Sequence, residues 1–374
     1  MKLKNIAVLA LAGTMAASVV LAGCGNRIDQ KAVAAKLGDK EITLGLANFM
    51  AQYQAVNYDS YYMSYYGKDM WTKDVAGNGS TMTDQVKSSV MDQLETDYLL
   101  EQHMKDYKVE ITDKELSAMK DAAKQFMADN SKKTINSMGA TEENLTEMLR
   151  LSLIQKKMQN AIEAEVDTNV SDAEAAQRTF SYINVTQDGY YDANNKLVAY
   201  TDEEKKALPD KVKEMAAAAK TDFDGTATKN GYKVSTYSYG SDTTNDTMDK
   251  AVLTAASALK AGEISDLITL ADNKGYYIIR LDSEFDRAAT DKKKESIVSQ
   301  RKSDHYTEVT TAYKKDVKWT VEKDAWAKVN FDELYTIKKN DNTELSEGQG
   351  AAATDGTAVN TEAVTGTETP QSTK

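Results

Sequence analysis

Cys24 is the only cysteine in the 374-residue chain, and its surroundings indicate one kind of chemistry. It ends the segment Leu21-Ala22-Gly23-Cys24, which follows an apolar stretch over residues 6–21 and a start that carries Lys2 and Lys4. This order is typical of lipoprotein signal peptides, in which the cysteine thiol takes a fatty acid such as palmitate. We therefore expect a signal peptide over residues 1–23, a lipid anchor on Cys24, and a mature chain at the extracytoplasmic face of the cell membrane.

The alternative for the same stretch is a transmembrane helix followed by an unrelated cysteine. A membrane span requires about 20 apolar residues, whereas this stretch is near the lower limit and is interrupted by Gly13 and Thr14. No second long apolar run follows Cys24 in the sequence. Lipid is therefore the membrane attachment that we expect.

Few other residues could support acid-base, nucleophilic or metal chemistry. The two histidines, His103 and His305, are far apart in sequence, and neither has another histidine or a cysteine at helical spacing. The sequence has no glycine-rich phosphate loop, and its formal net charge of −12 disfavours nucleic acid, because phosphate contacts require clustered Lys and Arg. We therefore expect no metal, no cofactor and no nucleic-acid partner.

The first half of the mature chain is predicted to be helical. Residues 24–31 read as a tether, and residues 33–37 and 41–43 as two short strands around a turn. Helices are predicted over 44–66, from about 83 to 107, from the capping box Thr112-Asp113-Lys114-Glu115 onward, and from 142 to about 165. Together these elements predict a helical domain over residues 32–177.

The second half alternates between strand and helix. Residues 179–186, 232–239 and 275–281 read as strands, and residues 203–220 and 248–259 as helices, which predicts a compact insert over 178–285. The chaperone domain returns over 286–335, with charged amphipathic helix to about Lys315 and a short packed end marked by Trp319, Trp326 and Phe331. Residues 340–374 have the polar composition of a disordered tail. The predicted fold class is α+β, with a small α+β domain inserted into an extended helical domain.

The insert contains segments that resemble a known enzyme domain. Leu259-Lys260-Ala261-Gly262-Glu263-Ile264-Ser265, followed by Gly275-Tyr276-Tyr277-Ile278-Ile279-Arg280-Leu281, resembles the closing half of parvulin-type peptidyl-prolyl isomerases. Ser181-Tyr182-Ile183-Asn184-Val185 resembles the first strand of that family, and Asp222, Phe223 and Ala227 match a helix end. The resemblance implies a parvulin-like domain with a proline-binding pocket.

The flanking segments are similar to PrsA-type foldase lipoproteins and SurA-like chaperones. Leu37-Gly38-Asp39-Lys40-Glu41-Ile42-Thr43 matches the opening of those proteins. The helix with Met91-Asp92-Gln93-Leu94, before Val109-Glu110-Ile111-Thr112, matches their second segment. The resemblance covers nearly the whole mature chain before the tail and implies a chaperone that assists exported polypeptides.

The pocket positions depart from the parvulin pattern. The two histidine positions of the family correspond to Tyr182 and Tyr277, and its two phenylalanines to Val252 and Ser257, so that Met248 alone is retained. Rotating a prolyl bond requires an apolar site for the ring and stabilisation of a twisted amide. With these replacements we assign no catalytic residue and expect weak isomerase activity or none. Tyr182 and Tyr277 could equally fill the domain core with their hydroxyls at its edge.

We hypothesise that the chain binds unfolded or newly exported polypeptides through its helical domain. The residues predicted to contact such clients lie in a tyrosine-rich run, because flexible Met and amphipathic Tyr suit varied partners; they are Tyr58, Tyr61, Tyr62, Met63 and Tyr65. The same run could instead be helix core beside a solvated loop. Two other functions are an active isomerase with a divergent pocket and a solute-binding lipoprotein, which would need two parallel-sheet lobes. A homodimer is a further partner that the sequence leaves open.

Overall fold

The computed structural model describes residues 28–75, 77–191, 197–244, 247–271, 274–332 and 337–338. The predicted signal peptide, residues 24–27 of the tether with Cys24, and the predicted tail at 340–374 lie outside these residues. The described chain divides into two compact units. Unit 1 lies within Met1–Met158 and Tyr313–Lys374, and unit 2 within Gln159–Ala312. Unit 2 contains the predicted insert and extends beyond it at both ends.

The elements follow one another in a mixed order of helix and strand. In chain order they are β1 (Val33–Leu37), β2 (Lys40–Thr43), α1 (Leu44–Tyr66), a 3₁₀ turn (Lys68–Thr72), α2 (Met82–Gln102), α3 (Asp113–Asp129), α4 (Lys132–Met138), α5 (Glu142–Glu163), α6 (Asp172–Ala175), β3 (Arg178–Val185), β4 (Gly189–Tyr191), β5 (Leu197–Ala199), α7 (Asp202–Ala219), α8 (Phe223–Lys229), β6 (Val234–Tyr239), α9 (Lys250–Ala258), β7 (Ile268–Thr269), β8 (Tyr276–Ser283), α10 (Arg287–Asp316), β9 (Trp319–Val321) and α11 (Lys323–Trp326). The α+β class is confirmed, as is each helix and strand predicted up to residue 286, with ends that shift by a few residues.

Local capping explains why several helices begin where they do. Thr112 accepts a hydrogen bond from the Glu115 backbone N–H, and the Glu115 carboxylate accepts from the Thr112 backbone N–H, as the sequence predicted. The same reciprocal pair starts α2 at Thr81 and α7 at Thr201. Each pair satisfies backbone donors that the first turn of a helix leaves without partners.

Unit 1 packs its helices against a small sheet. The strand order is β2-β1-β9, and both pairings are antiparallel, with Ala35 opposite Val321. Its core includes Phe49 of α1, Leu94 of α2 and Phe126 of α3, all fully buried. The sheet thus ties the first described strand to residues near the far end of the described chain.

In unit 1 one predicted helix end was wrong and one short helix was missed. The second helix ends at Gln102 instead of residue 107, because the backbone turns after His103 and reaches a left-handed conformation at Lys108. The short helix α4 was missed, although Ser131 caps it. The returning helix ends at Asp316, close to the predicted end near Lys315, and β9 and α11 lie in the segment that was predicted as a short packed end.

Unit 2 is built on a sheet with a hydrophobic cluster on each face. The strand order is β6-β3-β8-β7, and every pairing is antiparallel. Ile183 and Ile278 face a cluster formed with α7 and α8, whereas Phe180 and Ile279 face a cluster formed with α9. The hairpin of β4 and β5, which the sequence did not predict, lies between β3 and α7.

All strand pairings among the described residues are antiparallel. The described part of the chain therefore lacks the two parallel-sheet lobes that a solute-binding lipoprotein requires. In that same part, none of the helices combines the length and apolar content that crossing a bilayer demands.

Candidate functional site

The two positions that correspond to the parvulin histidines lie side by side on one face of the unit 2 sheet. In the β3–β8 register Tyr182 lies opposite Ile279, and Tyr277 lies opposite Asn184. Tyr182 and Tyr277 are therefore diagonal neighbours, with ring centroids 5.6 Å apart and an interplanar angle of 38°. The antiparallel register brings the predicted pair together without any contribution from a loop.

A third tyrosine extends this face. Tyr237 of β6 lies opposite Phe180 in the register, with ring centroids 5.7 Å apart, and its hydroxyl is 2.6 Å from the Thr247 hydroxyl. We call Tyr182, Tyr237 and Tyr277 the sheet tyrosines. Tyr237 was not among the predicted pocket residues. The alternation of β6 was the signal that could have placed it beside Phe180.

The remaining predicted pocket positions separate into a buried pair and an exposed residue. Met248 and Val252 both lie in the cluster beneath α9, where Val252 is fully buried. Ser257 is exposed, and its hydroxyl donates to the Leu253 carbonyl oxygen at 2.8 Å within α9. The structure thus brings four of the five positions into one cluster and leaves Ser257 outside it.

The chemistry available at the sheet tyrosines is hydrogen bonding by their hydroxyl groups. Burial raises the pKa of Tyr277, and the neighbouring Tyr182 and Asp249 raise it further. The phenol is therefore protonated at neutral pH, and neither the Tyr182 nor the Tyr277 hydroxyl has a hydrogen-bond partner among the described residues. Two such hydroxyls can donate to a peptide carbonyl, but they offer no proton acceptor near neutral pH, as an imidazole would.

The predicted client-contact residues lie on the last turns of α1. Tyr58 and Tyr62 are partly buried and stacked, with centroids 5.8 Å apart and an interplanar angle of 19°, and Tyr62 continues to Tyr66 at 6.1 Å. Tyr65 is 78% exposed, whereas Met63 is partly buried. We call Tyr58, Tyr62, Tyr65 and Tyr66 the helix tyrosines. The side chain of Tyr61 lies outside the part of the chain that the structure describes.

The inner end of this row is anchored in the core of unit 1. Tyr58 packs edge-on against Trp71 at 6.4 Å, and Trp71 lies 4.5 Å from Phe331 between ring centroids. The Trp71 indole Nε1 donates to Asp59 Oδ1 at 2.9 Å. Burial raises the pKa of Asp59, and this hydrogen bond partly offsets the rise. The row therefore runs from a buried, hydrogen-bonded base to an exposed end.

The described residues do not bring together three or more His, Cys, Asp or Glu side chains in an arrangement that could hold a metal ion. His103 ends α2, where its ring stacks on Tyr313 at 3.7 Å and its Nδ1 lies 2.8 Å from Asp106. His305 lies 3.3 Å from Glu165. Both histidines thus make contacts within the scaffold.

The chain is similar in sequence to SurA-like domains and to PrsA foldases. A model of the SurA-like N-terminal domain matches residues 1–159. The foldase protein PrsA of Clostridium botulinum (strain Loch Maree / Type A3) is 31% identical over 259 residues, which cover 64% of this chain and 73% of the relative. PrsA of Streptococcus gordonii is 28% identical over 197 residues, which cover 50% of this chain and 58% of that protein.

Solved structures of similar proteins align over most of the chain, with low superposition scores. The foldase PrsA of Lactococcus lactis has a TM-score of 0.31 at 16% identity and covers 80% of this chain and 97% of its own. A SurA-like chaperone of Campylobacter jejuni has a TM-score of 0.28 at 14% identity, with coverages of 78% and 98%. The family is shown by the sequence relative from Clostridium botulinum: the chain belongs to the PrsA family of foldase proteins.

Proposed function

We propose that this foldase is anchored by lipid on Cys24 at the extracytoplasmic face of the membrane and binds unfolded, newly exported polypeptides. Residues 32–177 and 286–335 act as the chaperone part, and residues 178–285 form a parvulin-like domain with weak isomerase activity or none. The family assignment supports a foldase or chaperone role. Lipid anchoring, client contact and low isomerase activity are proposals that go beyond the family assignment.

The observation that carries client binding is the exposed end of the helix tyrosines. Tyr65 is 78% exposed and Tyr66 is 46% exposed, and both lie in the last turn of α1, where the Tyr66 ring packs at a tilt on Tyr62. An aromatic ring with a polar tip can cover apolar client segments and still accept their polar groups. Because α1 already holds their backbone, binding has to order only the side-chain torsions of these two residues.

Substituting Tyr65→Ser and Tyr66→Ser together tests this contact. We expect the double variant to lose at least half of its suppression of aggregation of a chemically unfolded client, with little change in stability. Tyr190→Ser is the matched control, because Tyr190 is 41% exposed but lies on the hairpin of unit 2. Equal suppression by the double variant and the wild type would remove the helix tyrosines from client binding.

The low isomerase activity follows from what surrounds the sheet tyrosines. The barrier to prolyl rotation is about 20 kcal/mol, and lowering it requires an apolar site for the ring beside groups that stabilise the twisted amide. Val252 is fully buried in the core and Ser257 faces solvent, so neither provides a wall for a proline ring. The two tyrosine hydroxyls can donate or accept a hydrogen bond, but they do not form an apolar wall for the ring.

An active isomerase with a divergent pocket is the second candidate, because the Tyr182 and Tyr277 hydroxyls lie on neighbouring strands and could both donate to one amide. A proline-containing tetrapeptide assay separates the two proposals. We expect the mature wild type to give a rate near the uncatalysed one, unchanged by Tyr182→Phe or Tyr277→Phe. Robust catalysis that either substitution abolishes would establish the divergent isomerase.

The lipid anchor is tested independently of both activities. We expect wild-type cells to incorporate a palmitate analogue into the protein and to retain it in the membrane fraction. Cys24→Ala should abolish both. Unchanged membrane retention of the variant without label would favour the transmembrane alternative.

A further inference from the structure

A cleft of about 530 Å³ lies in unit 1, away from the helix tyrosines. Its apolar floor comes from Leu46 of α1, Tyr98 of α2 and Leu116 of α3, of which the first two are buried. Residues of β2, α3 and α5 form its walls. The cleft is therefore a bounded site with an apolar base and a charged rim.

Some of the charges in the cleft are committed to partners. Arg150 pairs with Glu147 at 2.8 Å and with Glu101 at 2.7 Å, and the Tyr98 hydroxyl donates to Glu147 at 3.0 Å. Glu41 pairs with Lys36 at 2.6 Å. These groups stabilise the walls and are not available to a ligand.

The α3 wall carries cations without such partners. Lys120 and Lys124 line the cleft one helical turn apart, and neither forms a salt bridge with a described residue. Lys40 adds a third positive charge, with its Nζ 5.0 Å from the centre of the Tyr98 ring. Glu142 and Glu143 line the cleft from the first turn of α5, where the helix dipole favours negative charge. An anionic ligand is therefore directed to the α3 wall.

The described chain ends close to this wall. Ile337 packs against the unit 1 core, and the Lys338 backbone N–H donates to Asn130 Oδ1 at 3.1 Å. Asn130 is the residue that ends α3. At 1.5 Å per helical residue, Lys124 and Lys120 lie about 9 and 15 Å back along the helix from Asn130.

The sequence that follows Lys338 has the complementary chemistry. Asp341, Glu344 and Glu347 are acidic, and Leu345 lies between the two glutamates as the only Leu, Ile, Met or aromatic residue from 339 to 374. An extended chain covers about 3.3 Å per residue, so that Glu344 can lie up to about 20 Å from Lys338. This span reaches both lysines.

We propose that the cleft binds the chain's own segment 341–347, with Leu345 on the apolar floor and Glu344 and Glu347 at Lys120 and Lys124. The lysines provide the charge attraction, and the floor selects a segment with an aliphatic residue between its acids. Glu142 and Glu143 repel the acids from the α5 wall and so set the direction of the bound segment. This interaction is independent of client binding by the helix tyrosines.

Chemical acetylation of lysines, followed by mass spectrometry, tests the proposal in the full mature chain. The variant combines Asp341→Asn, Glu344→Gln, Leu345→Ser and Glu347→Gln, all beyond the described residues. We expect acetylation of Lys120 and Lys124 to become at least threefold faster in this variant. Lys213 of unit 2, which is 69% exposed, is the internal reference and should not change.

Adding the segment back as a peptide completes the test. In a chain truncated after residue 339, a synthetic peptide of residues 340–350 should restore protection of both lysines, whereas a scrambled peptide should not. Equal acetylation of variant and wild type overturns the proposal. Protection that depends on protein concentration, or that appears only with an added unfolded client, assigns the cleft to a second copy or to clients and also overturns it.

Discussion

Tyrosine is used differently in the two units. Along α1 the Tyr58 and Tyr62 rings stack and the Tyr66 ring follows at a tilt. Tyr65 at 78% and Tyr66 at 46% are more exposed than the partly buried Tyr58 and Tyr62. The sheet tyrosines come from three neighbouring strands and pack beside fully buried Phe180 and Ile279 on the same face of the sheet. One group ends on an open surface, and the other forms the edge of a core.

The difference follows from backbone geometry more than from residue type. Helical neighbours at positions i and i+4 stack along an axis, so a row can leave the core and continue into solvent. Side chains of neighbouring strands are held at a fixed spacing on one face of the sheet. Cross-strand rings therefore pack side by side against the same core. A tyrosine-rich sequence thus predicts contact with partners only once its secondary structure is known.

Removing the buried ring beside the sheet tyrosines should have the largest effect on stability. Phe180 is fully buried and contacts Tyr182, Tyr237 and Tyr239. We expect Phe180→Ala to lower the free energy of unfolding by about 3–5 kcal/mol, and Phe180→Leu by less than about 1.5 kcal/mol. Hydrogen exchange should show the lost protection in β3, β6 and β8. Similar losses for both variants would mean that cavity formation is not the cause.

The two units should also differ in how pH affects them. Asp97 of α2, in unit 1, is fully buried, and neither carboxylate oxygen has a well-formed hydrogen bond among the described residues. Burial raises the pKa of Asp97 to about 7, against a smaller opposite effect of Gln93. In unit 2, hydrogen bonds from Arg287 and Lys294 hold the pKa of Asp172 far below its usual range.

These opposite shifts have opposite consequences. Folded Asp97 keeps a proton that the unfolded chain releases above pH about 4, so its contribution to the unfolding free energy falls as pH rises from about 4 to about 7. The Asp172 contribution is present above pH about 4 and is lost as pH falls below it. Acid should therefore weaken unit 2 while the Asp97 contribution in unit 1 is at its maximum.

Asp97→Asn isolates the first of these contributions. Relative to the wild type, the variant should gain stability as pH rises from 4 to 8, by at most about 4 kcal/mol for three pKa units. Chemical denaturation at several pH values measures this gain. Asp92→Asn, on the exposed side of the same helix, is the control and should give a smaller change. A stability difference between Asp97→Asn and wild type that is the same at every pH contradicts the burial of an ionisable group.

A smaller effect is expected at the base of the helix tyrosines. Trp71→Phe keeps an aromatic ring beside Phe331 but removes the donor to Asp59, which should cost about 1–3 kcal/mol because a half-buried carboxyl loses its partner. It should also raise the pKa of Asp59 further. The control is Trp319→Phe, since the Trp319 indole has no hydrogen bond among the described residues. Equal costs for the two variants would assign the effect to ring size.

Much of the fold could be predicted from local signals in the sequence. Periodicity and the Thr112–Glu115 capping box placed the helices, because such signals depend on neighbours in the sequence. Strand β9 was missed because its three residues are extended only through pairing with β1, nearly 300 residues earlier. The hairpin of β4 and β5 was missed for a related reason, since strands of three residues show little alternation.

The candidate sites also contain positions that the sequence predicted and positions that depend on tertiary packing. The resemblance predicted the positions Tyr182 and Tyr277, and their proximity followed from two strands in one sheet. Spacing alone could not show that Ser257 faces solvent, because the rotation of α9 is set by Val252 and Ala256 packing on the sheet. The cleft was not predicted, because its walls come from three elements separated in sequence.

The pleat of β3 has an evolutionary consequence. Successive side chains of this strand serve separate hydrophobic clusters, with Tyr182 on the α9 side and Ile183 on the side of α7 and α8. Residues on one face of the sheet can therefore change during evolution while the cluster on the other face keeps the domain folded. An ancestral enzyme could lose its catalytic groups in this way and persist as a stable module, free to acquire another use.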